Sequence, residues 1–378
     1  MNSGEIIAWH QQTRQPVRLR WSDGRITALE ATDVAPPRDL WLAPPLVDLQ
    51  VNGFAGVDFQ QDNLTADELL KATRGLRGAG CTRFLFTLVT DDWMRLMARL
   101  RHVRKLRAES SELTEAIAGW HVEGPFLSAE PGFCGAHDAS LMRDATLEHI
   151  RQLREVAGTD PVLLTLAPER DNALPVIELA ASLGIKVSLG HTNAAAGQLK
   201  QAVQHGASAF THLGNGCPRE LDRHDNILWR VFELAGVKVS LIPDGIHVSP
   251  ALFRLMHRQL PSDAIFYVSD AMSAAGAPPG RYRLSRLELE VGEDQIVRYP
   301  GRTNFAGSAL RPIDGVFRAA EMLGVSWQDA WTRFSKTPAD LMGLNPGLKP
   351  GDPADFCLVE ATPENQLLNL KVFVNGVA

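Results

Sequence analysis

Cysteine is scarce in this 378-residue chain: there are four, at positions 81, 134, 217 and 357. No two of them form a C-x-x-C pair, so neither a zinc ribbon nor a disulfide framework is indicated. A reducing cytoplasm is the expected setting. Positive charge is in deficit, with 38 Lys and Arg against 44 Asp and Glu and a formal net charge of -6. A nucleic-acid footprint needs a basic face, so no nucleic-acid partner is expected. An anionic ligand would need its own local cluster of Arg and His. No apolar run approaches the roughly 18 residues that span a bilayer. Residues 1–20 hold no apolar core of signal-peptide length, and no membrane partner is expected. A G-x-G-x-x-G turn is also missing after the first apolar run, which weighs against a doubly wound dinucleotide-binding sheet.

What is present has the composition of a soluble globular enzyme, 45% hydrophobic and 22% charged. The length exceeds one ordinary core but suits a large α/β barrel carrying a small extra domain. Both ends alternate apolar and polar residues, as in "IIAWHQQTRQPVRLRWSDGRITAL", "ADFCLVE" and "LKVFVNGVA". Such alternation reads as short strands, and it predicts one small β domain built from residues 1–42 and 348–378. The stretch 43–347 changes rhythm. It holds eight short apolar runs fit for buried parallel strands: 46–52, 83–90, 117–124, 162–169, 186–192, 208–215, 237–247 and 265–272. Helical patterns separate most of them, most clearly over 91–107, where Leu96, Leu100 and Val103 share a face. The alternation predicts a (β/α)8 barrel as the catalytic domain.

In such a barrel the chemistry sits at the C-terminal ends of the strands. Here those ends carry Glu123, His191, His212, Asp244, His247 and Asp270. A lone His at a strand end is commonly a hydrogen-bonded structural residue, and a lone Asp commonly caps the following helix. Six at equivalent ends of consecutive strands converge on one rim. Glu123, His191 and His212 offer a carboxylate and two imidazoles, a set that suits Zn²⁺ or Fe²⁺ and leaves a position open for water. Asp270 is then the natural general base, and afterwards the acid for a leaving amine.

At these residues the chain resembles the N-acetylglucosamine-6-phosphate deacetylases of the amidohydrolase superfamily. The resemblance follows "LAPPLVDLQVNGFAGVDF", "WHVEGPFLS", "GAHD", "LGHTNA", "THLGNG", "IPDGIHV", "VSDAM" and "FAGSAL" in order, then "TPADLMGL" and "GLKPGDPADFCLV". It implies a barrel with a small β-sandwich domain built from both termini. It implies hydrolytic deacetylation of an N-acetyl amino-sugar 6-phosphate with one divalent metal ion per subunit, zinc or iron(II). Glu123, His191 and His212 take the metal-ligand roles and Asp270 the catalytic one. His137 in "GAHD" helps polarise the acetyl carbonyl. Ala136, Asn215, Gly216, Arg223, Asp244, His247, Phe305 and Gly307 line up with substrate-contacting positions. Relatives can pass the Arg223 equivalent into a neighbouring subunit's site, so a homodimer is implied.

The chain departs from the pattern in two places. Many superfamily members hold two metals with H-x-H at the end of the first strand, where this chain has Gln50 and Asn52. Neutral amides are poor ligands for a second catalytic zinc, so one strongly held ion is expected. A cyclic-amide hydrolase or deaminase would usually need that H-x-H, and a non-catalytic sugar-phosphate sensor would have lost the metal set or Asp270. The second departure is the stretch from Gly214 to Arg230. There Gly214 replaces a bulky residue, Gly216 replaces Ala, and Arg219, Arg223 and His224 add charge.

Overall fold

Runs that are apolar without alternation become the strands of a central parallel sheet, covered on both faces. The computed structural model describes residues 3–37, 39–301, 306–345 and 347–378. The central strands are β1 (Leu46–Val51), β2 (Cys81–Val89), β3 (Ile117–Glu123), β4 (Val162–Leu166), β5 (Lys186–Leu189), β6 (Ala207–Phe210), β7 (Lys238–Leu241) and β8 (Ile265–Tyr267). They pair in chain order, each parallel to the next. Every residue of β1 and of β4 is buried. The ring closes between β8 and β1 through looser contacts. The Asn52 N–H donates to the Ala271 carbonyl at 2.7 Å, and the Ser269 N–H donates to the Asp48 carboxylate at 3.2 Å.

Helices fill most of the connections. Helix α1 (Ala66–Gly78) starts at a reciprocal cap: Thr65 Oγ1 accepts from the Glu68 N–H, and the Glu68 carboxylate accepts from the Thr65 N–H. Helix α2 (Trp93–Ala108) starts at Asp92, which accepts from the Met94 and Arg95 amides. As the spacing predicts, α2 buries Leu96, Leu100 and Val103 against the barrel. No helix among the described residues is long and apolar enough to cross a membrane.

The alternating ends form a separate six-stranded sheet, as expected. Its order is Leu367–Phe373, Phe356–Ala361, Leu40–Ala43, Gly4–His10, Pro16–Ser22, Arg25–Ala31, so strands from both termini interleave. A small core of its own includes Leu19, Trp21, Ile26, Phe356 and Phe373. Trp9, Trp41, Trp327 and Trp331 form a chain of ring contacts, 5.4–6.2 Å between centroids, that carries the sheet onto the barrel.

One element was not anticipated. A three-stranded antiparallel insert follows β8: β9 (Gly280–Leu284), β10 (Leu287–Val291) and β11 (Val297–Arg298). Its signal is the period-2 alternation through Tyr282, Leu284, Leu287, Leu289 and Val291, interrupted only by the Ser285–Arg286 turn. The expected substrate contact Phe305 lies outside the described residues.

Asp48, at the barrel seam, has a titration consequence. Burial pushes its carboxyl up to about 7, against the opposing hydrogen bonds from Ser269 and Gln50. Between pH 4 and 7 the folded chain therefore holds a proton that the unfolded chain releases, and stability falls as pH rises through that window. The penalty reaches about 4 kcal/mol above pH 7. Urea unfolding of wild type and Asp48→Asn should show the wild-type advantage shrinking by that order between pH 4 and 8. A difference independent of pH contradicts the assignment.

Candidate active site

Glu123 is the last residue of β3, His191 and His212 stand just beyond β5 and β6, and Asp270 stands just beyond β8. Three of these take left-handed backbone: His191 at φ 49°, His212 at φ 31° and Asp270 at φ 51°. That conformation ends a strand at once and costs a non-glycine residue roughly 1–2 kcal/mol. Strain repeated at three neighbouring strand ends is a mark of a functional rim.

The three candidate ligands meet. All are buried, and their ligand atoms lie within 4.8 Å of one another. Glu123 Oε1 is 2.9 Å from His212 Nε2 and 3.4 Å from His191 Nε2. His191 Nδ1 faces the Phe133 carbonyl at 2.8 Å. A carbonyl only accepts, so Nδ1 carries a hydrogen, and in the tautomer that ligates a metal this leaves the lone pair on Nε2, aimed at a carboxylate oxygen. Two acceptors left facing each other in a buried site call for a cation between them, and a carboxylate with two imidazoles suits a divalent one. Burial pushes the Glu123 carboxyl up, but the two imidazoles outweigh it and hold it well below the usual range. For His212, burial pulls down and Glu123 outweighs it, so the imidazole is raised overall.

Gln50 and Asn52 act as donors. Gln50 Nε2 donates to Glu123 Oε1 at 3.1 Å, and Asn52 Nδ2 donates to Asp270 Oδ1 at 2.7 Å. Burial, reinforced by the charge of Glu123, lifts the Asp270 carboxyl to about 6. His137 Nε2 lies 3.8 Å from Glu123 Oε2, and its ring stands edge-on to His191 at 4.5 Å. Burial and the His191 imidazole pull His137 down to about 3, so it is neutral around pH 7.

Two glycines frame His191. A Cβ on Gly216, at φ 58°, would sit 2.6 Å from His191 Nδ1, and one on Gly135, at φ 60°, 2.8 Å from Cε1. Gly216 is thus the residue that fits. Gly216→Ala should displace the imidazole, lower stability by about 1–3 kcal/mol and weaken metal retention. Calorimetry with metal analysis checks this, and full metal content with an unchanged Tm contradicts it.

The remaining predicted residues divide. Asn215 turns back on His212, its N–H donating to the His212 carbonyl at 2.9 Å. His247 Nδ1 is 2.6 Å from Asp244 Oδ2, while Asp244 Oδ1 accepts from the Ile246 and His247 amides. Asp244 therefore orients His247. Gly307 packs on Met272, where a Cβ would come within 3.1 Å. Ala136 packs against the apolar cluster of Met272, Leu284, Leu289 and Ala306. Arg223 is exposed, its Nε donating to His224 Nε2 at 3.0 Å, and none of its hydrogen bonds among the described residues reaches the Glu123 cluster.

Beneath the cluster runs a polar thread that sequence reasoning missed. His121 Nε2 is 2.8 Å from Thr165 Oγ1, which is 2.9 Å from Thr211 Oγ1, itself 2.6 Å from Ser188 Oγ. Burial pulls His121 down to about 4, so it is a neutral partner. Its signal was the spacing: His121 precedes Glu123 by two on β3, so both face inward.

No family-wide sequence profile matches the chain. Curated relatives do. N-acetylglucosamine-6-phosphate deacetylase of Bos taurus is 34% identical over 333 residues, 84% of this chain and 79% of the relative. N-acetylgalactosamine-6-phosphate deacetylase of Escherichia coli O157:H7 is 30% identical over 349 residues, 91% and 90% of the two chains. Among solved structures, an Asp-to-Ala variant of N-acetyl-D-glucosamine-6-phosphate deacetylase from Mycobacterium smegmatis, in complex with N-acetyl-D-glucosamine-6-phosphate, superposes with a TM-score of 0.87. That match is 28% identical and covers 99% of this chain and 98% of the other. Sequence similarity over most of both chains and a barrel that carries Glu123, His191, His212 and Asp270 on one rim agree: the chain belongs to the N-acetylglucosamine-6-phosphate deacetylase family of the amidohydrolase superfamily.

Proposed function

We propose that this protein hydrolyses the acetamide of an N-acetyl amino-sugar 6-phosphate, foremost N-acetylglucosamine-6-phosphate, to acetate and the amino-sugar phosphate. The observation that carries the reading is the buried Glu123–His191–His212 cluster, with the Asp270 carboxyl held near 6 on the same rim. The names of the Bos taurus and Mycobacterium smegmatis relatives support the substrate class.

In this reading Glu123, His191 and His212 hold one divalent ion per subunit, zinc or iron(II). When bound, it supplies Lewis acidity that polarises a carbonyl and makes water easier to deprotonate. Gln50 and Asn52 support the count of one, because each amide donates to a carboxylate. Asn52 holds Asp270 Oδ1, which leaves Oδ2 to take the proton of the attacking water. As the C–N bond breaks, Asp270 returns that proton to the departing amine. Neutral His137 donates an N–H to the acetyl oxygen as charge builds there, a contribution of a few kcal/mol in comparable sites. Asn215, Gly216, Gly307, Ala136, Phe305 and the His247–Asp244 pair contact or frame the sugar phosphate. Arg223, exposed on its own subunit, serves the phosphate of a neighbouring subunit's site, which makes the working unit a homodimer. The four unpaired cysteines suit a reducing cytoplasm.

A second reading takes the galactosamine stereoisomer, after the Escherichia coli relative. Steady-state kinetics on the 6-phosphates of N-acetylglucosamine and N-acetylgalactosamine and on free N-acetylglucosamine separates the readings. The account expects kcat/KM for N-acetylglucosamine-6-phosphate to exceed that of the free sugar by at least about 100-fold, because the phosphate positions the amide. Equal turnover of the free sugar overturns the phosphate assignment. Higher kcat/KM for the galactosamine isomer favours the second reading.

A further inference from the structure

The insert β9–β11 has no part in closing the barrel, yet its turn reaches the ends of the early strands. The Ser285 N–H donates to Asp58 Oδ2 at 2.9 Å, in the loop after β1. Arg286 Nη2 lies 2.8 Å from Asp91 Oδ1, just past β2, and Arg286 Nη1 lies 3.9 Å from Asp138 Oδ2, past β3. Asp91 is buried and also meets Arg99 at 2.9 Å, so it is a fixed post. Asp138 is the residue after His137. The residue before it, Ala136, packs against an apolar cluster to which the insert contributes Leu284, Leu289 and Val291 and the flanking segments Met272 and Ala306. One chain neighbour of His137 therefore meets Arg286 of the insert, and the other packs on the cluster that the insert helps to build.

The loop that carries His137 has little regular structure of its own. Its backbone bonds are turn bonds, from Phe133 and Cys134 N–H to the Glu130 carbonyl and from His137 N–H to the Cys134 carbonyl. Its inner side rests on His191 and on Pro218, where glycines allow close approach at Gly135 and Gly132. Its outer side meets the insert through Asp138 and Arg286. A loop without internal order keeps a side chain in place only if its surroundings define it.

We propose that Arg286 is a positioning residue for the reaction: by bridging the buried Asp91 to Asp138 it holds the outer side of the 130–138 loop and so sets where His137 stands. This rests on the deacetylase reading. The Asp138 contact is long and half-exposed, so it adds little to stability. Its effect is geometric, and a misplacement of about 1 Å can cost about 100-fold in rate. Arg286→Gln should lower kcat about 10–100-fold with KM nearly unchanged, and Arg286→Lys should recover part of the loss. Asp138→Asn, a change at an exposed side chain, should give a smaller loss of the same kind.

The deciding experiment combines a double-mutant cycle with hydrogen exchange on the whole protein. In a His137→Ala background, Arg286→Gln should cause no further fall in kcat, because the group it positions is gone. Amides of residues 131–138 should exchange faster in Arg286→Gln than in wild type, with the barrel strands unchanged. An undiminished loss in the His137→Ala background, or wild-type kcat and exchange in Arg286→Gln, overturns the proposal. If wild-type protein releases no acetate, the deacetylase reading fails on its own. The exchange comparison then decides the clamp alone: faster exchange supports it and unchanged exchange overturns it.

Discussion

Asp270→Asn is expected to lower kcat by roughly 10²–10⁴-fold, the usual contribution of a positioned acid–base group. The argument is geometric as well as chemical. Asn52 Nδ2 donates to Asp270 Oδ1 at 2.7 Å, and an Asn at position 270 keeps a carbonyl oxygen in place to accept that bond. The barrel seam and the Glu123–His191–His212 cluster are left intact. What is lost is an oxygen that can take a proton and give it back, and a carboxyl that burial has already lifted to about 6. KM and metal content should therefore stay near wild type while turnover collapses. Turnover within tenfold of wild type would remove Asp270 from the acid–base role.

Glu123→Gln should be as severe, through a different route. Glu123 is the single carboxylate of the cluster, and its Oε1 is shared by His191, His212 and the Gln50 amide. A glutamine removes the charge, and its amide offers hydrogens or a weak neutral oxygen to atoms that need an anion beside them. Metal per chain should drop from one to nearly none after dialysis, with deacetylation falling to background. The contrast between the two variants is the useful part: Asp270→Asn keeps metal and loses rate, whereas Glu123→Gln loses both. A Glu123→Gln protein that retains a full equivalent of metal would contradict the ligand assignment. Two tightly held ions in wild type would contradict the reading of Gln50 and Asn52.

Much of this architecture is legible in the amino-acid order, for physical reasons that differ by element. The strands β1 to β8 stand out because burial on both faces forces uninterrupted apolar runs such as "LVDLQVN" and "VLLTL". The site follows from topology, since a barrel brings the ends of those runs to one rim and makes Glu123, His191, His212 and Asp270 neighbours although 147 positions separate the first from the last. The insert β9–β11 is less visible, because short alternating strands with exposed faces lack that apolar density. Side-chain partnerships are not legible. Nothing in the order of residues shows that the Gln50 amide turns its nitrogen to Glu123, that Asp244 is occupied in orienting His247, or that Gly216 must lack a Cβ beside His191. These depend on distances that long-range packing determines. The exposed position of Arg223 likewise emerges only when the loop from Gly214 to Arg230 is folded.

The central claim is hydrolytic removal of an acetyl group from an amino-sugar phosphate by a metal-dependent site. Its most direct test is to incubate the purified, metal-replete protein with N-acetylglucosamine-6-phosphate and quantify acetate and free amine, with and without prior chelation. The account predicts that the two products appear in equal amounts, at a rate abolished by chelation and restored by one equivalent of divalent metal per chain. Absence of acetate from the metal-replete protein, or release unaffected by chelation, would contradict it.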